Sequence, residues 1–204
     1  IFVNIKKTLL SALAFLGSLH LALAADPVDI TASFMQNYTA PFATTGETLL
    51  GANTRWQILA APWITENNLG TIANDYTAWH VDFQKSPNYP TVDGSRAGVL
   101  TLTPGWDGFA GTFSNMKVYQ TVTLPAGNYE ISTYRAQDWS GAAGAYFVVA
   151  AGEGIPNIGN INTALGSVVF SKAAAPDWSL SISFKLAAET KISIGAVASY
   201  TGAK

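Results

Sequence analysis

Cysteine is absent from this 204-residue chain, so disulfide bracing, thiol nucleophiles and cysteine-ligated metals are all excluded. Histidine is nearly absent, with only His20 and His80. His20 falls in a leader-like segment, so a Ser-His-Asp relay would have to use His80, and no Gly-x-Ser-x-Gly elbow accompanies it. One histidine without cysteine cannot supply the usual zinc ligands either. Charged residues are scarce, at 12% of the chain. Amphipathic helical periodicity is missing beyond the N-terminal segment, which points away from helical bundles and α/β folds.

The N-terminal segment reads as a leader. Lys6 and Lys7 form a short basic region, Thr8 to Leu23 is almost wholly apolar, and Ala22-Leu23-Ala24 supplies a small-x-small cleavage pattern. The apolar run of 16 residues falls short of the roughly 20 needed to span a bilayer. Residues 1–24 are therefore expected to be a cleaved signal peptide with no place in the fold, and 25–204 a single exported domain. No cysteine follows the cleavage site, which excludes a lipid-anchored precursor. The expected destination is the exterior or cell surface of a bacterium, with no membrane insertion after cleavage. The expected mature chain carries nine Lys and Arg against thirteen Asp and Glu, a net charge of −4. Nucleic acid and anionic membrane demand a basic face and are not expected partners. At 49% apolar the chain is too hydrophobic for disorder, and it is long enough to build a core without staples.

Period-2 alternation dominates what remains. Val118, Val122 and Leu124 fall on one side of a strand, and Tyr119, Thr121 and Thr123 on the other. Leu124-Pro125-Ala126-Gly127 then suits a type I turn, and Tyr129, Ile131 and Thr133 resume the alternation. This stretch predicts either a β-hairpin or a corner between two sheets. Gln120 shares a side with Val118 and Val122, and a buried glutamine bonded to backbone is expected there. Further strands are expected over Val28–Met35, Arg55–Leu59, Trp79–Phe83, Val99–Thr103, Ala145–Ala151, Val168–Ser171, Trp178–Leu186 and Ile192–Ala198. The stretch up to Thr48 and the stretch from Trp63 to Asp75 read as loops, and residues 160–167 as a short helical turn. Nine or ten short strands predict an all-β chain, an antiparallel β-sandwich, in one domain.

The run Asn115-Met116-Lys117-Val118-Tyr119-Gln120-Thr121-Val122-Thr123-Leu124-Pro125-Ala126-Gly127-Asn128-Tyr129 resembles an uncharacterised family. Trp56 and Trp63, Tyr146–Ala150 and Ile192-Ser193-Ile194-Gly195 extend the likeness over about residues 28–200. The family comprises jelly-roll, galactose-binding-like domains in exported proteins of glycan-foraging gut-type bacteria. The resemblance implies a secreted or surface module that binds glycan. It implies no catalytic or ligand motif to transfer, and it leads one to expect a further closing strand after Tyr200. Structural calcium is common in jelly-roll modules, and Asp93-Gly94 or Asp107-Gly108 offer oxygen ligands. No acidic loop has calcium-site spacing, so neither metal nor cofactor is expected.

Two loop motifs carry sugar-binding chemistry: Trp106-Asp107 within Pro-Gly-Trp-Asp-Gly, and Asp138-Trp139 within Gln-Asp-Trp-Ser-Gly. An indole stacks on the flat face of a sugar ring while neighbouring polar groups bond its hydroxyls. The expected ligand-binding set is Trp106, Asp107, Arg135, Asp138 and Trp139, with Tyr76 and Tyr89 as candidate additions. Against this stands the ordinary use of tryptophan as core filler, which alternation suggests for Trp56, Trp79 and Trp178. Asp82, Asp107, Asp138 and Glu153 are the acids near loops or strand ends that a glycosidase-type pair would use, but nothing in their spacing singles out a pair. The leading expectation is a non-catalytic glycan-binding module. The alternative is a structural or adhesive surface protein that self-associates through sheet edges, aided by the small-residue patches at Ala142–Ala145 and Ala173–Ala175.

Overall fold

Alternating small polar and apolar residues favour extended chain, and strands are what most of this sequence forms. The computed structural model describes residues 3–8, 26–39, 42–50, 53–67, 80–84, 99–103, 113–134, 142–172 and 179–200. In chain order the strands are β1 (Asn4–Thr8), β2 (Val28–Asp29), β3 (Thr44–Leu50), β4 (Asn53–Leu59), β5 (Ile64–Glu66), β6 (His80–Gln84) and β7 (Val99–Thr103). They continue with β8 (Phe113–Leu124), β9 (Gly127–Tyr134), β10 (Ala142–Ala151), β11 (Gly166–Val169), β12 (Ser179–Leu186) and β13 (Thr190–Tyr200). The described helices are one turn of α-helix, α1 (Thr31–Phe34), and two 3-10 turns at Ile158–Thr163 and Phe170–Lys172.

Among the described residues the strands pair antiparallel throughout. Sheet I has the order β12-β9-β1-β2, sheet II β11-β10-β13-β8-β5, and sheet III β3-β4-β6-β7. Sheets I and II face each other as the expected sandwich. Ile5, Tyr129, Ile131, Leu180, Ile182 and Leu186 of sheet I meet Met116, Val118, Leu124, Phe147, Val149, Ile192 and Ile194 of sheet II in one apolar core. β12 shows the sequence logic plainly, with Leu180, Ile182 and Leu186 buried and Ser181, Ser183 and Lys185 exposed.

The stretch after Val118 is a corner. β8 lies in sheet II and β9 in sheet I, so the chain crosses the sandwich between Leu124 and Gly127. The Tyr129 hydroxyl donates to the Pro125 carbonyl at 2.6 Å and ties the corner to the strand leaving it. Gln120 is buried, and its amide donates to the Gln36 carbonyl at 2.7 Å, as the alternation led one to expect.

β13 is the central strand of sheet II, flanked by β10 and β8. Its alternation resembles that of a half-exposed strand, yet both of its faces are buried. Ile192, Ile194 and Ala196 face the core. On the other side Val197 joins Tyr119, Val148, Ala150 and Ile155 in a second cluster, capped by Ile158, Ile161 and Ala164 from the 152–164 segment. The Ser193 hydroxyl donates to the Gly152 carbonyl and accepts the Gly154 N–H, both at 2.9 Å, which pins that segment down.

Three expectations are corrected. Val28–Met35 is not one strand: only β2 is extended, and α1 follows. Thr31 and Met35 are buried while Ile30 and Phe34 pack on the core, pairs spaced four apart as a helix requires. Asp29 starts the turn by accepting both the Thr31 N–H at 2.9 Å and its hydroxyl at 2.6 Å. The loop expected up to Thr48 contains β3, whose ladder to β4 is irregular, with Gly46 at φ 85°. The loop expected from Trp63 opens with β5, paired to β8 through Ile64↔Tyr119, Thr65↔Val118 and Glu66↔Lys117.

Beyond α1, Trp63 is buried and donates its indole N–H to the Asn37 carbonyl at 2.7 Å. Asn37 itself, the first residue of the formal sequon Asn37-Tyr38-Thr39, uses its side-chain amide twice. Its Nδ2 donates to the Ala43 carbonyl at 3.0 Å, and its Oδ1 accepts the Ala43 N–H at 2.6 Å.

The N-terminal residues 3–8 also have a place in the fold. β1 pairs with β9 from Asn4↔Ser132 to Thr8↔Asn128 and with β2 through Lys6↔Asp29 and Lys7↔Val28. Val3 and Ile5 are 2% and 0% exposed. Val3-Asn4-Ile5 alternates like any strand.

Gly195 makes the β8–β13 contact possible. A Cβ there would lie 2.0 Å from the Val118 carbonyl oxygen and 2.5 Å from Tyr119 Cβ. Backbone cannot yield as a flexible side chain does, so Gly195→Ala is expected to cost about 3 kcal/mol or more of folding stability. Urea denaturation checks this, and an unchanged midpoint would refute the close approach.

Candidate functional site

The five expected ligand-binding residues, Trp106, Asp107, Arg135, Asp138 and Trp139, lie outside the described residues, as do Tyr76 and Tyr89. The strands that receive their segments are described, and their register is informative. Phe113, the first residue of β8, pairs with Tyr200. Ala142, the first residue of β10, also pairs with Tyr200, from the opposite side of β13. With neighbouring strands about 5 Å apart, Phe113 and Ala142 lie about 10 Å from each other on either side of Tyr200.

The corner leads into sheet I. β8 crosses sheet II away from Phe113, and β9 returns across sheet I to finish at Tyr134, next to Arg135. Tyr134 is 41% exposed and pairs with Ser179. Sequence reasoning did not single it out. The available signal was its phase, because Tyr134 falls on the Glu130 and Ser132 side of β9, which faces outward.

The other acids once considered separate differently. Glu153 is exposed and paired with Lys191 at 2.7 Å. Asp82 lies on β6 opposite Thr101. Among the described residues no three His, Cys, Asp or Glu side chains gather as a metal site, and no described helix is long and apolar enough to cross a membrane.

Two further places hold polar chemistry. A shallow depression of about 450 Å³ on sheet I is lined by Lys6, Thr8, Asn128, Glu130, Ser183 and Lys185, together with Tyr129 and Phe184. The two rings stack at 5.5 Å and 22°, and Lys7 Nζ lies 5.7 Å from the Tyr129 ring centre. Lys6 and Thr8 belong to β1.

The second place is the triad Glu66, Tyr119 and Lys117. Tyr119 donates its hydroxyl to Glu66 at 2.7 Å, and Lys117 donates to the other carboxylate oxygen at 2.9 Å. Burial pushes the Glu66 carboxyl up, but hydrogen bonds from Tyr119 and Lys117 hold it below its ordinary value of 4.5. Burial and the Glu66 acceptor push Tyr119 up to about 12. Both oxygens of Glu66 are engaged, so the triad works as a clamp that fastens edge strand β5 to β8.

These features define a class: an antiparallel β-sandwich that gathers the ends of several strands on one side and holds its edge with an ion-paired clamp. The chain belongs to the family described as a domain of unknown function, DUF5013, whose match covers residues 36–195. No curated protein and no solved structure matches it.

The clamp has a pH signature. Glu66 titrates lower when folded than when unfolded, so its contribution is present above about pH 4.5 and is lost as pH falls through the folded value. The contribution of Tyr119 is present below pH 10 and is lost between 10 and about 12. Glu66→Gln should lower the urea midpoint at neutral pH and flatten its acid decline. Parallel acid limbs in the two proteins would count against the clamp.

Proposed function

We propose that this chain is a secreted, non-catalytic glycan-binding module with a jelly-roll, galactose-binding-like sandwich, and that its site is built from the segments 104–112 and 135–141. One observation carries the reading: Phe113 and Ala142 pair with the same residue, Tyr200. Two segments that each join tryptophan to aspartate are therefore anchored to one end of sheet II, within reach of one oligosaccharide. Trp106 and Trp139 stack on sugar rings, and Asp107, Asp138 and Arg135 bond hydroxyls. The leader supports export, and the family match is consistent with a module of uncharacterised role.

The alternative, self-association through sheet edges, has less support. Three of the four edge strands of sheets I and II are β2, β5 and β11, with two, three and four residues. Short edges are a common protection against edge-to-edge pairing.

Affinity electrophoresis in gels cast with plant and host polysaccharides tests the reading. Retardation by one polysaccharide is expected, with Trp106→Ala and Trp139→Ala each weakening it about tenfold or more while folding is preserved. If neither substitution changes the retardation, the site lies elsewhere. If no polysaccharide retards the chain, the glycan reading fails.

A further inference from the structure

We infer that residues 3–8 and residues 26–30 are alternative occupants of one seat on the edge of β9. The leader strand fills the seat before cleavage, and the new N-terminus fills it afterwards. This rests on the leader reading and is independent of the glycan reading.

The seat is a demanding one. β1 supplies five consecutive pairings to β9, and Ile5 is fully buried beneath them. Cleavage hydrolyses the Ala24–Ala25 amide: a leader-cleaving protease adds water to the Ala24 carbonyl, and Ala25 leaves as a free amine. Loss of residues 1–24 would then leave β9 with an unpaired edge over an unfilled core. An exported domain in that condition would be open to strand addition by any extended chain.

The replacement already lies alongside. Val28 stands opposite Lys7 and Asp29 opposite Lys6, and the Ile30 N–H donates to the Ile5 carbonyl at 2.9 Å. Residues opposite one another in a ladder share a face, so Val28 and Ile30 are already turned toward the core side. A sideways shift of one strand spacing, about 4.8 Å, carries Ile30 into the seat of Ile5 and Val28 into that of Lys7. The residue type at the buried seat is unchanged. β2 is antiparallel to β1 and β1 to β9, so the shifted strand runs parallel to β9, which a ladder also accepts. In the uncleaved chain Val28 is 47% exposed, an apolar residue awaiting burial.

The exchange reverses one electrostatic contact. Lys6 now stands between Glu130 and Asp29 in register on the outer face. After the shift Asp29 takes its place beside Glu130, and attraction becomes repulsion.

The test compares the uncleaved chain with the chain recovered after export from a bacterium, by intact mass, hydrogen exchange and urea denaturation. The exported chain is expected to begin at Ala25, with the amides of residues 128–132 protected to within about tenfold of the uncleaved chain. Val28→Asp should leave that protection unchanged in the uncleaved chain and lower it at least tenfold, on the order of the loss for an opened edge, in the exported one. Glu130→Gln should lower the urea midpoint of the uncleaved chain and raise that of the exported chain. The inference is overturned if residues 128–132 of the wild-type exported chain exchange freely. It is equally overturned if Val28→Asp acts alike on both forms, if Glu130→Gln shifts both midpoints in the same direction, or if residues 3–8 remain with the exported chain.

Discussion

The close approach of β13 to β8 is the constraint on which the rest of the structure depends. Gly195 leaves no room for a side chain against the Val118 carbonyl, and β8 and β13 stay paired from Phe113↔Tyr200 to Leu124↔Thr190. Because this pair runs through the middle of sheet II, one face of it can floor the sandwich core while the other floors the 152–164 cap. Burying an aliphatic side chain stabilises by about 1.5–3 kcal/mol, and β13 contributes on both sides. Ser193 shows how polar residues are accommodated there. It is fully buried, yet its hydroxyl contacts Thr121, Gly152 and Gly154, so its own desolvation is offset.

The corner at Leu124–Gly127 converts this sheet into a sandwich with a defined end. A hairpin there would have kept β9 beside β8. Crossing instead sends β9 into the opposing sheet, while Phe113, Ala142 and Tyr200 meet at one end of sheet II. Lys7 crosses the bare Cα of Gly127, where an added Cβ would lie 2.6 Å from its Cε, so β1 packs against the corner as well.

Much of the sandwich was legible because its strands are half-buried and their side chains obey period 2. β12 and the inner face of β8 are examples, and Val99–Thr103 matches β7 at both ends. Legibility failed where one pattern served two geometries. Ile30, Thr31, Phe34 and Met35 are apolar or small at spacings that suit both a twisted strand and a single helical turn, and the Asp29–Thr31 bonds decide for the turn. β3 and β5 were missed for a different reason. Their residues, Thr44–Leu50 and Ile64–Glu66, are polar or few, and they are strands because a neighbour supplies the ladder. The outer burial of β13 depends on a segment more than thirty residues upstream, which no local pattern can signal. For the candidate site the residue types were readable, but the register that sets both Phe113 and Ala142 opposite Tyr200 was not, because it is made by pairings between strands distant in sequence.

Asn37 gives the fold a property that concerns manufacture rather than biology. A glycosylating enzyme must take hold of the asparagine amide nitrogen, and in the folded chain that nitrogen and its carbonyl partner are both engaged with Ala43. The Asn37 backbone carbonyl is also taken, by the Trp63 indole. A yeast or mammalian host would thus find the sequon open only before folding, and a sugar attached then would hold apart the loop that seats Trp63. Material from such a host would separate into a native unmodified fraction and a modified fraction that folds poorly, whereas a host without this modification would yield one species.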